Sequence, residues 1–111
     1  MNIEEQHHGA VTVLKPSGPL SQDDAEQFQQ CFTTVLHQNL GRVVVDISAV
    51  PYVDSRGLEV LVEASSELAH SGHALKLCGV NDTVREVLDL TGLGPMFEQF
   101  EDVHSAVRSF L

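Results

Sequence analysis

Four consecutive residues, Asp54-Ser55-Arg56-Gly57, form the arrangement in this sequence of 111 residues that is best suited to chemistry. They follow Pro51 and precede an amphipathic run, so Asp54 or Ser55 caps a helix whose free N–H groups face outward. A helix start of this kind favours negative charge. Gly57 falls in the first turn, although glycine costs about 1 kcal/mol relative to alanine in a helix interior. Two readings of that glycine stand side by side. It is a spare residue after an ordinary cap, or it marks a place where something approaches the backbone closely.

Other chemistries are poorly served. A serine hydrolase built on Ser55 needs Gly-x-Ser-x-Gly, and Val53 stands where the first glycine belongs. No Gly-x-x-x-x-Gly-Lys phosphate loop occurs. His70 and His73 are three apart with Glu67 three before His70, but Gly72 ends the helix between them. His7 and His8 point to opposite sides of a strand, so no metal site is expected. The sequence therefore predicts neither catalysis, cofactor nor metal. Glu59, Glu63 and Glu67 recur every fourth residue as an acidic ridge on the helix that starts at Ser55, and like charges at this spacing cost a few tenths of a kcal/mol per pair. The ridge reads as a solvated helix face or as a surface for a basic partner.

The elements that must position Asp54 to Gly57 follow from hydrophobic spacing. Ile3 to His7 and Ala10 to Leu14 read as two strands joined by a turn at His8-Gly9, with Pro16, Gly18 and Pro19 stopping the second. A helix from Ser21 carries Ala25, Phe28, Phe32, Val35 and Leu36 on one face. Ser21 and Asp24 make a start like a capping box, and residues 39–41 supply the stop. Val43-Val44-Val45-Asp46-Ile47 is short, continuous and β-branched, as a strand buried on both faces should be. The helix at Ser55 has Leu58, Leu61, Val62, Leu68 and Ala69 as its apolar face and closes at Gly72. Ala74 to Cys78 is the next strand, so strand, helix and strand form a parallel crossover. Asn81 and Asp82 cap a short helix with Val84, Val87 and Leu88, ended by Gly92. An extended stretch over residues 96–100 leads to a last helix from Asp102, with Val103, Ala106, Val107 and Phe110 on one side. The fold class is α/β: one domain over residues 1–111, a mixed central β-sheet with about four α-helices packed on it.

Composition narrows the partners. Sixteen acidic residues against six Lys or Arg give a formal net charge of −10. That field disfavours phosphate backbones and anionic lipid, so neither nucleic acid nor membrane insertion is expected. A 42% apolar share suits an ordinary folded domain. Cys31 and Cys78 are far apart, each in an apolar stretch, and read as two buried free thiols in a reducing cytosol. The opening residues Met1 to Glu5 lack the pattern of a signal peptide, and no stretch reaches transmembrane length. A cytoplasmic location is expected.

The sequence resembles the STAS family, the anti-sigma factor antagonists of bacteria. The resemblance is carried by Val43-Val44-Val45-Asp46-Ile47 followed by Val53-Asp54-Ser55-Arg56-Gly57-Leu58. The opening hairpin, Gly18-x-Leu20, Leu77-Cys78-Gly79-Val80-Asn81 and Leu90-Thr91-Gly92-Leu93 recur in the same order. It implies that Ser55 is phosphorylated by a partner that is both serine-protein kinase and anti-sigma factor. It also implies that only the unphosphorylated form binds that partner, and that a phosphatase resets the switch. Asp54 would shape and cap the site, Gly57 would permit close approach, and Ser21, Arg56 and Glu59 would meet the partner. Arg56 stands where relatives commonly have a small or hydroxylated residue, and Ser21 where many have an acid, so both are expected to tune partner choice. STAS domains also serve as non-switching scaffolds in lipid- or anion-transport assemblies, which is the alternative reading.

Overall fold

Apolar spacing of two alternates with spacing of three to four along the chain, and the backbone follows it. A computed structural model describes residues 1–39 and 41–111. The strands are β1 (Asn2–His8), β2 (Val11–Ser17), β3 (Val43–Asp46), β4 (Leu75–Cys78) and β5 (Phe97–Phe100). The helices are α1 (Gln22–Gln38), α2 (Ser55–Ala69), α3 (Asp82–Thr91) and α4 (Val103–Arg108), with a 3-10 turn over Gly94–Met96. One sheet runs in the order β1-β2-β3-β4-β5. β1 and β2 are antiparallel, and every later pair is parallel.

All four residues of β3 are buried because the sheet is covered on both faces. Alternation along the strand divides its valines. Val43 and Val45 join the larger core with Leu14, Phe28, Leu61, Leu77 and Leu88. Val44 faces the other way, with Val13, Cys78 and Ala106. Among the described residues, α4 and Phe110 just after it cover the second face. Asn81 caps α3 by accepting from the Val84 N–H at 2.8 Å, and Asp102 caps α4 by accepting from the Ser105 N–H at 2.8 Å. Gly92 ends α3 at φ +71, a left-handed stop that suits glycine.

Several local expectations change. The hairpin turns at Gly9-Ala10 instead of His8-Gly9. β2 runs through Pro16 to Ser17 instead of stopping before it. The Thr12 N–H points to the Arg42 carbonyl on the β3 side, so Pro16, four residues on, has its nitrogen on that side too. The β3 pairing has already ended at Leu14, and the missing N–H leaves no ladder bond unmade. Ala69 is exposed, and Val60 and Ala64 take its place on the buried face of α2. Cys31 is half-buried, whereas Cys78 is fully buried. In the expected stop at residues 39–41, Asn39 caps α1 with its N–H on the Val35 carbonyl, and Leu40 lies outside the described residues.

Candidate functional site

The connection from β3 to α2 is pinned along its length. Ser48 donates its N–H to the buried Asp46 carboxylate at 3.0 Å, and the Val50 N–H returns to the Ile47 carbonyl. On one flank the Asn81 side chain donates to the Val50 carbonyl at 2.8 Å. On the other, the segment before α1 runs parallel to the loop. Gly18 N–H reaches the Ala49 carbonyl, Leu20 N–H reaches the Tyr52 carbonyl, and Leu20 pairs with Val53. Asp54 N–H then donates to the Leu20 carbonyl at 3.1 Å. The starts of α1 and α2 are thereby joined in one rigid platform.

Asp54 locks that platform. One carboxylate oxygen accepts from the Gly57 N–H at 2.8 Å and caps α2; the other accepts from the Gln22 N–H at 3.2 Å. Gln22 holds φ +47, an uncommon conformation for a residue with a side chain, and the Asp54 bond helps to sustain it. Ser21 has the extended backbone of an N-cap, but its hydroxyl makes no capping bond, so the expected capping box with Asp24 is absent. The role of capping acid at this end of the molecule passes across to Asp54.

Gly57 is buried, and a Cβ built there would sit 2.0 Å from the Leu20 carbonyl oxygen. The close approach read from the sequence is therefore real, but the approaching group is the chain's own backbone. Ser55, the first residue of α2, is exposed on the outer side of this joint. It stands at the positive end of a helix of 15 residues, whose start Asp54 caps.

Arg56 crosses from α2 to α1. Its Nε donates to Glu26 at 2.6 Å, with Nη2 on the same carboxylate oxygen, and Nη2 also reaches Gln29 at 3.3 Å. Nη1 donates to Glu59 at 2.8 Å and lies 3.8 Å from Glu63. Glu26 above all strengthens the guanidinium's hold on its proton, against some desolvation. Glu63 also accepts from Gln29 at 2.7 Å. Two members of the acidic ridge, Glu59 and Glu63, therefore share a cation, which offsets their mutual repulsion.

Sequence reasoning missed Leu20, Gln22, Glu26 and Gln29, which come to the site only through tertiary contact. It also passed over Tyr52, an aromatic side chain 49% exposed in the pinned loop three residues before Ser55. A lone tyrosine after Pro51 was the available signal. Away from the site, burial first and the Asp46 charge second push the Cys78 thiol up to about 12, so it is an inert packing group. Among the described residues, no group of three or more His, Cys, Asp or Glu is placed to hold a metal ion. None of the described helices is long and apolar enough to cross a membrane.

A five-stranded mixed sheet with an exposed serine at a capped helix start defines a small α/β domain. The STAS domain model matches residues 2–106, and the chain belongs to that family. It is 26% identical over 94 residues to the anti-sigma F factor antagonist of Paenibacillus polymyxa, covering 84% of this chain and 80% of that protein. An anti-sigma factor antagonist STAS domain protein from Planctomyces limnophilus superimposes with a TM-score of 0.83 at 23% identity, covering 96% of each chain. The phosphorylated form of the Bacillus cell fate determinant SpoIIAA does so with a TM-score of 0.73 at 19% identity, over 99% of this chain and 100% of that one. The first two of these relatives are named as antagonists and not as enzymes.

Proposed function

We propose that this protein is an anti-sigma factor antagonist, switched by phosphorylation of Ser55. In the unphosphorylated state it binds an anti-sigma factor that is also a serine-protein kinase; phosphorylation releases it, and a phosphatase restores it. The observation that carries the reading is the exposure of Ser55 at the start of α2, on a platform whose backbone is fixed by Asp54 and Leu20. A kinase meets this hydroxyl without unfolding anything.

The energetics favour a switch of binding over a switch of fold. A phosphoserine brings about −1.5 to −2 charges. In the free protein that charge faces water and the helix N-terminus, a gain of roughly 0.3–1 kcal/mol that helps to offset repulsion from Asp54. Against a partner it is desolvated, and a buried interfacial charge that the partner does not match costs roughly 2–5 kcal/mol. In this reading Ser21, Arg56 and Glu59 supply the contact face beside Ser55, while Asp54 and Gly57 shape the helix start that presents it. Cytoplasmic residence follows from this function. Reaction with ATP and the kinase, followed by mass-spectrometric mapping, tests the reading: phosphate chiefly on Ser55 supports it, and phosphate chiefly on any other serine or threonine rejects it.

A further inference from the structure

Resting on the reading of Ser55 as the modified residue, we propose that Arg56 is a transferable clasp. It holds Glu26 of α1 while Ser55 is free and moves to the phosphate once Ser55 is phosphorylated, which uncovers the Glu26 carboxylate. Phosphorylation would then change the charge presented by two helices through one side-chain exchange, with no movement of the backbone.

The clasp uses most of its donors and lies close to solvent. Nε and Nη2 are spent on Glu26 and Gln29, and Nη1 on Glu59 beside Glu63. A phosphate on the adjacent residue therefore competes with these carboxylates for the guanidinium. Those partners are easily displaced, because Glu26, Glu59 and Glu63 are about half exposed, at 48%, 60% and 46%. Ion pairs in such surroundings are screened by water and contribute little to stability.

The phosphate is the stronger competitor. It presents three acceptor oxygens and nearly twice the charge of a carboxylate, and charged hydrogen bonds from arginine to such groups are among the strong ones. A phosphate that engages the edge formed by Nε and Nη2 displaces Glu26, and the turn back toward Ser55 also draws Nη1 from Glu59, one turn further along the same helix. Asp54 cannot answer the phosphate, because it is an anion whose two oxygens are occupied by Gly57 and Gln22. The guanidinium that ties this acidic face together is the cation next in sequence to the phosphate.

The full chain carrying phosphoserine at position 55, installed during synthesis, tests the exchange without a kinase. The probes are the Arg56 Nε–H resonance and the phosphorus resonance followed against pH. In the unphosphorylated protein Glu26→Gln should move the Nε–H signal, whereas in the phosphorylated protein it should leave that signal in place. The phosphate should bind its last proton about tenfold more weakly in the parent than in Arg56→Gln, the low end for an opposite charge within hydrogen-bonding reach, with Arg56→Lys in between. Modification of another residue by the kinase would defeat the reading of Ser55 without altering these spectra. The clasp is overturned if Glu26→Gln still moves the Nε–H signal after phosphorylation, or if the phosphate titrates alike in the parent and in Arg56→Gln.

Discussion

Replacing Gly57 by alanine sets two effects of known size against each other. Helix propensity alone favours alanine by about 1 kcal/mol in a helix interior. Against it stands the Leu20 backbone: the new methyl would lie 2.0 Å from the carbonyl oxygen, 2.9 Å from the carbonyl carbon and 3.0 Å from Cβ. Relief requires a shift of more than an ångström, to judge from ordinary contact distances of about 3.5 Å. Leu20 cannot yield freely, since its N–H is held by Tyr52 and its carbonyl by Asp54. Overpacking of this kind costs roughly 1–3 kcal/mol, and loss of the Asp54-to-Leu20 hydrogen bond adds about 1 kcal/mol. The net expectation is a loss of about 1–3 kcal/mol, equivalent to roughly 4–8 °C in Tm for each kcal/mol. Urea denaturation of Gly57→Ala beside the exposed-site control Ser66→Ala measures it. A Gly57→Ala protein as stable as the parent, or more stable, would refute the account of the joint between α1 and α2.

Three further outcomes follow from the same geometry. Asp54→Ala removes the acceptor of both the Gly57 and Gln22 N–H groups and should lower stability by about 1–2 kcal/mol, the upper part of the range for a lost cap, in the same denaturation assay. Ser55→Ala and Ser55→Asp should both melt close to the parent, within about 0.5 kcal/mol, because the site is exposed and the helix start tolerates an anion. Cys78 holds its proton more tightly folded than unfolded, so folding stability is full below its ordinary pKa of 9.0 and falls as pH rises from there toward about 12. Denaturation midpoints against pH should therefore decline less steeply in that window for Cys78→Ala than for the parent.

The elements legible in the sequence are those whose signals are local. The run Val43 to Ile47 announces a strand covered on both faces, and Asn81, Gly92 and Asp102 announce helix ends that the hydrogen bonds bear out. The start of α2 is equally plain, because Asp54 makes its capping bond within one turn. What the sequence does not disclose depends on neighbours distant along the chain. Pro16 sits inside β2 because the third strand has already diverged there. The Ser21 hydroxyl caps nothing, while Asp54 of another element takes the Gln22 N–H. Gly57 marks a close approach, yet only the fold reveals Leu20 as what approaches. Arg56 is expected from the sequence to meet a partner, but in the folded chain it is already bound by carboxylates of two helices.

The central claim is that charge at Ser55 controls binding while leaving the fold intact. Calorimetric titration of the anti-sigma kinase with the unmodified protein and with the Ser55-phosphorylated protein measures this directly. Desolvating the phosphate at an interface should cost roughly 2–5 kcal/mol, so the account predicts affinity weaker by about thirtyfold or more for the phosphorylated form. Melting temperatures of the two free proteins should nevertheless agree closely. Equal affinity of the two forms for the kinase would contradict the account.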